Sequence, residues 1–336
     1  MTQFRTPRLL FLMSIVLAVG LGQQAQGQIQ IDGFTAAVND RFTNDSSFLL
    51  DGFDISAVGR SGALGNIWAT AIAPNVVISS NHFSPAVGSQ VTFYPDNDPN
   101  STPVIRTVQS GQQITNSSAG ALSDLWVGVL DSNLPSSITP VAYTTQNITG
   151  GPVAGSTIDS STLNTSAPFV GDEVFLFGRS EAPQQAGIPG LGQAVGQNTI
   201  TGFFQDASFE GTTDSLYAAY DSFELSTSDP NLQPPFTGTS SNLVTNEAHL
   251  VPLDSGAPLF TIVNGQLLLL GTNGFVSEVT VGGEVSILGS GFDYIGNESD
   301  FIDGFIVTAN AVPEPSSMLA LSALMGAFLV RRRRAH

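Results

Sequence analysis

Between residues 28 and 311 the apolar residues almost never recur at helical spacing; they come in short alternating or continuous runs, each cut by Gly, Pro, Asn, Asp or Ser. Runs of that length cannot bury a helix face, but they can each cross a sheet once. The strands expected on this ground are 57–58, 67–72, 76–79, 91–94, 104–109, 125–130, 173–177, 199–204, 216–223, 259–263, 267–272 and 285–288. A dozen strands so spaced predict an all-β body, a sandwich or one or two small barrels. One late helix is expected over 300–308, where Phe301, Ile302, Phe305 and Ile306 share a face. The Ser/Thr/Gly-rich stretch 144–168 suits a linker between halves, and 178–198 and 226–246 read as loops. The chain has 35 glycines, which fits a turn-rich fold, and no cysteine. Disulfides, thiol chemistry and Cys-ligated zinc are therefore excluded.

Both ends read as processing segments. Arg5 and Arg8 precede an apolar run over 9–21, and a polar stretch then reaches Ala25-Gln26-Gly27, a small-x-small pattern. A run this short suits a secretory signal cleaved after Gly27 better than an uncleaved anchor. At the far end Val312-Pro313-Glu314-Pro315-Ser316-Ser317 leads into an apolar segment over 318–330 and then Arg331, Arg332, Arg333 and Arg334. That order resembles the PEP-CTERM sorting signal of bacteria: a Pro-Glu-Pro motif, a hydrophobic helix and a basic tail. Terminal arginines held on the cytoplasmic side would halt export there. The resemblance implies an exosortase-type membrane protease that cuts near the motif, and a body passed to the cell surface or an exopolysaccharide matrix. A permanent tail anchor is the alternative.

The body between these ends has no lysine and four arginines, Arg41, Arg60, Arg106 and Arg179, against 27 carboxylates, a formal charge of −23. Such a field repels nucleic acid and anionic membrane surfaces and favours solubility. It says little about fold.

Three strings carry chemistry. In the first, two β-rich runs joined by Pro74-Asn75 deliver Ser80-Asn81-His82-Phe83. Forty-two residues past His82, Asp124 opens the apolar strand Leu125-Trp126-Val127-Gly128-Val129-Leu130. The third string is Pro252-Leu253-Asp254-Ser255-Gly256-Ala257-Pro258-Leu259-Phe260, followed by a hairpin through Asn264-Gly265, a favoured tight turn. Together these resemble the trypsin/chymotrypsin-like serine peptidases: the histidine box, the Asp-led strand, and the Gly-Asp-Ser-Gly-Gly-Pro-Leu nucleophile box. Phe83 stands where that family usually has a disulfide cysteine, as a cysteine-free branch requires.

The resemblance implies two six-stranded antiparallel β-barrels with a short C-terminal helix, here preceded by the signal (1–27) and followed by the sorting segment with its hydrophobic helix (312–336). The first barrel, 28–155, would carry His82 and Asp124, and the second, 156–311, Ser255. It implies a secreted endopeptidase in which His82 takes the Ser255 proton, Asp124 orients the imidazole, and the backbone N–H groups of Leu253 and Ser255 form the oxyanion hole. The substrate would be a polypeptide, with no cofactor and no metal. The departures are specific. Leu253 replaces a glycine whose freedom lets its N–H point into the hole, and a Cβ restricts that conformation. Thr272-Asn273-Gly274-Phe275 stands in place of Ser-Trp-Gly, so Gly274 and Phe275 are candidate substrate contacts. His249, six residues before Ser255, aligns with the base of the specificity pocket, against the plainer reading of a surface histidine. A catalytically silent relative, binding matrix or cell-surface material on the same fold, is the alternative function. Asp96-Asn97-Asp98-Pro99-Asn100 reads as a solvated turn rather than a calcium loop, since no bidentate glutamate follows at loop spacing.

Overall fold

The computed structural model of the chain describes residues 29–62, 66–115, 122–149, 153–154, 163–180, 191–206, 213–219, 244–281 and 284–311. The segments expected to be the N-terminal signal and the Pro-Glu-Pro sorting tail fall outside the described residues. The order begins with a short strand β1 (Gln30–Ile31) and one helical turn α1 (Ala36–Asn39). Six strands then close into a barrel: β2 (Val58–Ser61), β3 (Ile67–Ala73), β4 (Val76–Ser80), β5 (Gln90–Phe93), β6 (Val104–Thr115) and β7 (Leu122–Leu130). Their order is β2-β3-β4-β7-β6-β5, antiparallel at every seam.

The side-chain alternation of these strands divides them between two cores. Ala69, Ala71, Val77 and Trp126 point into the barrel with Val91 and Phe93. Trp68, Ile72, Val76, Ile78, Leu125 and Val127 point out of it, against Phe177, Phe260 and Leu269 of the second half. This explains why β3 and β4 are buried along both faces. The largest ring in the barrel interior is Trp126. A Cβ placed on Gly111 or Gly128 would lie 2.0 or 2.2 Å from the Trp126 indole, so only glycine leaves room for it.

The second half comprises β8 (Val153–Ala154), β9 (Glu173–Arg179), β10 (Gln193–Thr199), β11 (Gly202–Asp206), β12 (Thr213–Ala219), β13 (Ala248–His249), β14 (Pro258–Val263), β15 (Gln266–Val281) and β16 (Glu284–Tyr294). Eight of these form one sheet ordered β10-β9-β14-β15-β16-β12-β11-β8. Among the described residues these strands form an open sheet rather than a second closed six-stranded barrel, and the gap falls at one seam. β12 pairs with β16 on one side and with β11 on the other, so it has no free edge for β10, which it only touches. β10 meets Glu247 and Asp40 through isolated bridges instead.

The segment before the barrel packs on this second half. β1 pairs with β13, Gln30 opposite His249, and Ile29 is buried in the second-half core. Arg41, fully buried, ties the halves together: its guanidinium donates to the Val58 and Tyr94 carbonyls, to Gln193 Oε1 and to Asn97 Oδ1. Burial lowers its pKa to about 9. The described residues end in α2 (Ser299–Ala311), whose Ile302 is fully buried, with Phe301, Phe305 and Ile306 beside it on the junction core. Among the described residues no helix is long and apolar enough to cross a membrane.

Candidate active site

The pairing of β4 with β7 sets Ser79 opposite Trp126 and Ser80 opposite Leu125. The next residue on each strand falls at Asn81 and Asp124, and the Asn81 N–H donates to the Asp124 carbonyl at 2.5 Å. The His82 N–H then donates to Asp124 Oδ1 at 2.9 Å, so the backbone is pinned before the ring engages. His82 Nδ1 lies 2.5 Å from Asp124 Oδ2, and His82 Nε2 lies 2.8 Å from Ser255 Oγ. Asp124 is 2% exposed, whereas the ring of His82 opens to solvent. A carboxylate only accepts, so Nδ1 carries the proton and Nε2 is left to accept from the Ser255 hydroxyl. The side chains of His82, Asp124 and Ser255 thus form one continuous hydrogen-bonded chain.

Ser255 sits in the turn that enters β14. The Asp254 N–H donates to the Val251 carbonyl and the Ala257 N–H to the Asp254 carbonyl, both at 3.2 Å. Asn273 on β15 holds this turn from behind. Its backbone exchanges hydrogen bonds with Gly256 and Ala257, and its Nδ2 donates to the carbonyls of Asp254 and Phe177. The Asp254 side chain folds inward and is fully buried, accepting the N–H groups of Arg179 at 2.9 Å and Val251 at 3.3 Å. Burial raises its carboxyl to about 7, against the pull of those bonds and of Arg60 and Arg179. Arg60 is itself buried, stacked 3.9 Å over the Trp68 ring with Nη1 donating to the Gly192 carbonyl.

Leu253 lies at φ +85°, the left-handed conformation that glycine adopts freely. Its Cβ does not prevent that geometry; 41% of the residue stands in solvent, where the side chain meets little opposition. Among the described residues the N–H groups of Leu253 and Ser255 have no acceptor. Two unspent amides one residue apart, beside a serine that hydrogen-bonds a histidine, can together stabilise a developing oxyanion.

A groove of about 420 Å³ opens beside Ser255 and His82, and Leu253, Gly274 and Phe275 line it. His249 does not. Its strand β13 pairs with β1, its Nδ1 bonds the Leu250 carbonyl at 2.9 Å, and burial pushes its pKa below the usual value. The expected place at the pocket base is not the one the structure gives it: the groove lining on this segment begins at Leu250, and His249 is held by β13 on the β1 side. Sequence reasoning passed over Arg60 and the bracing role of Asn273; the one signal for either was a polar residue inside an apolar strand. At the Asp96–Asn100 turn the carboxylates accept from their own loop, Asp96 from the Asp98 N–H and Asp98 from Asn100. No group of three or more metal-ligating side chains occurs among the described residues. No family model matches the sequence, and no curated protein matches it at a significant level.

Proposed function

We propose that the protein is a secreted serine endopeptidase of the chymotrypsin-like class, a two-barrel fold whose second barrel is interrupted at the β10–β12 seam. The observation that carries the reading is the chain Asp124–His82–Ser255, with contacts of 2.5 and 2.8 Å, next to two free amides. Serine is a poor nucleophile until a base removes its proton. His82 Nε2 takes the Oγ proton as Oγ attacks the scissile carbonyl carbon, and the carbonyl electron pair moves onto oxygen. The Leu253 and Ser255 N–H groups bind that oxyanion, each worth about 3–4 kcal/mol of barrier. The imidazolium then protonates the leaving amine, the C–N bond breaks, and water enters by the reverse sequence to free the acid. Asp124 holds the tautomer and stabilises the cation without taking the proton. Export by the N-terminal signal and sorting by an exosortase-type protease, toward the surface or an exopolysaccharide matrix, complete the proposal and rest on the terminal motifs alone.

An active-site probe separates this from a silent binding protein on the same scaffold. A fluorophosphonate should label the purified protein at Ser255, and Ser255→Ala or His82→Ala should abolish labelling. Unlabelled protein with intact folding refutes the reading.

A further inference from the structure

Resting on that reading, we infer that the site selects an aliphatic side chain of medium size on the acyl side of the scissile bond, and that Phe275 sets the size limit. Three observations lead there. The groove wall next to Ser255 is built from Leu250, Val251, Pro252, Val276 and Phe275, and among the described residues no ionisable side chain other than His82 lines it. A charged substrate group entering such a wall gives up hydration without gaining a partner.

The second observation concerns the carboxylate nearest the floor. Asp293 lies against Gly274, where a Cβ would come within 2.7 Å of its Oδ1, but it is 2% exposed and is not among the residues that line the groove. It does not offer a counter-ion to a basic side chain. His249 and Asp254, on the segment that leads to Ser255, are buried and do not line the groove.

The third observation is what occupies the space. Phe275 pairs with Gly291 across β15 and β16, and its ring lies directly on that glycine: a Cβ there would be 2.1 Å from two ring atoms. The ring also meets Phe204, edge to face, with centroids 6.0 Å apart. Phe275 is held between the two and takes up depth that an aromatic substrate side chain would need. What remains is an apolar recess suited to leucine, valine or a similar group.

The test uses the purified full-length protein and a set of peptidyl diphenyl phosphonates identical except for the acyl-side residue: Val, Leu, Phe, Lys and Glu. The readout is the second-order rate of labelling at Ser255. The Val or Leu probe should react about 10²-fold faster than Lys or Glu, the scale of discrimination an apolar pocket gives. Phe275→Ala, with Phe275→Leu as a milder variant should the first not fold, should raise the Phe-to-Val rate ratio at least tenfold. Fastest labelling by the Lys or Glu probe overturns the inference and leaves the nucleophile assignment standing. So does labelling by a simple fluorophosphonate with none by the peptidyl set. An unchanged Phe-to-Val ratio in both variants removes Phe275 from its role. No labelling by any reagent overturns the inference and the peptidase reading together.

Discussion

Asp254 makes stability depend on pH in a direction opposite to most carboxylates. Its folded pKa is about 7 against an ordinary 3.8, because burial outweighs the two N–H groups it accepts. Between those values the folded chain keeps the proton while the unfolded chain has lost it. Raising the pH through that window therefore destabilises the fold, and the loss is complete above about pH 7. Each pH unit is worth about 1.4 kcal/mol, so the full window is worth roughly 4 kcal/mol. Between pH 5 and pH 8 about two units fall inside it, or ~3 kcal/mol. Asp254→Asn keeps an acceptor for the Arg179 N–H and cannot ionise. Urea unfolding of both proteins at pH 5 and pH 8 isolates the effect, since every other carboxylate is common to the pair. The wild type should lose ~3 kcal/mol more than the variant on going to pH 8. Equal losses would show that the buried carboxyl titrates normally and refute the reasoning.

Leu253→Gly relieves a left-handed leucine, a strain of about 1–2 kcal/mol, against a glycine backbone entropy of about 0.5–1 kcal/mol, and gives up little burial. Its unfolding free energy should rise by up to ~1 kcal/mol with Ser255 labelling retained; a clear fall would mean the side chain packs. Asp124→Asn should preserve the fold by circular dichroism yet slow hydrolysis of a peptide substrate by about 10⁴-fold in kcat, through the wrong imidazole tautomer. Gly128→Ala drives a methyl into the Trp126 indole and should cost about 1–3 kcal/mol in urea unfolding, with a blue- or red-shifted tryptophan emission as the ring moves.

The strands that sequence reasoning finds are those whose own residues carry the alternation. Residues 67–73 and 76–80 are strands because Ala, Val, Ile and Trp fill both faces, and the pattern says so directly. Residues 178–198 read as loop in the sequence because Gln, Gly and Asn offer neither alternation nor β-branched bulk, yet Gln193–Thr199 is a strand. It becomes β10 because the apolar β9 supplies seven paired positions and because Asn39 Nδ2 and Asp40 reach its outer edge. That is stabilisation from other parts of the chain, which local pattern does not encode. The open seam of the second half belongs to the same class. It depends on which neighbour β12 takes, and two edges compete for it without any mark in the sequence of β12 itself.

The site divides along the same line. His82, Asp124 and Ser255 were legible because each stands at the end or start of a strand that the pattern locates, so their approach follows from the pairing of β4 with β7 and the entry to β14. Leu253 and His249 were not, because both depend on how one short turn is held. The anchors of that turn are remote: Arg179 on β9 and Asn273 on β15 fix Asp254 and its neighbours, and with that frame set Leu253 takes the glycine conformation that its own side chain disfavours. Residues 250–253 line the groove from this frame, while His249, paired through β13 with β1, stays out of it. A substitution that loosens the frame from a distance, such as Asn273→Ala, removes two side-chain hydrogen bonds that support the carbonyls of Asp254 and Phe177. The Asp254 carbonyl keeps the Ala257 N–H, so each lost bond should cost about 0.5–1.5 kcal/mol. It should also slow labelling of Ser255 while leaving the His82–Asp124 contact intact, visible as an unchanged downfield Nδ1 proton resonance. Full labelling rate in a destabilised Asn273→Ala protein would mean that the oxyanion geometry is set within the turn itself, and that Leu253 holds its conformation without help from β15.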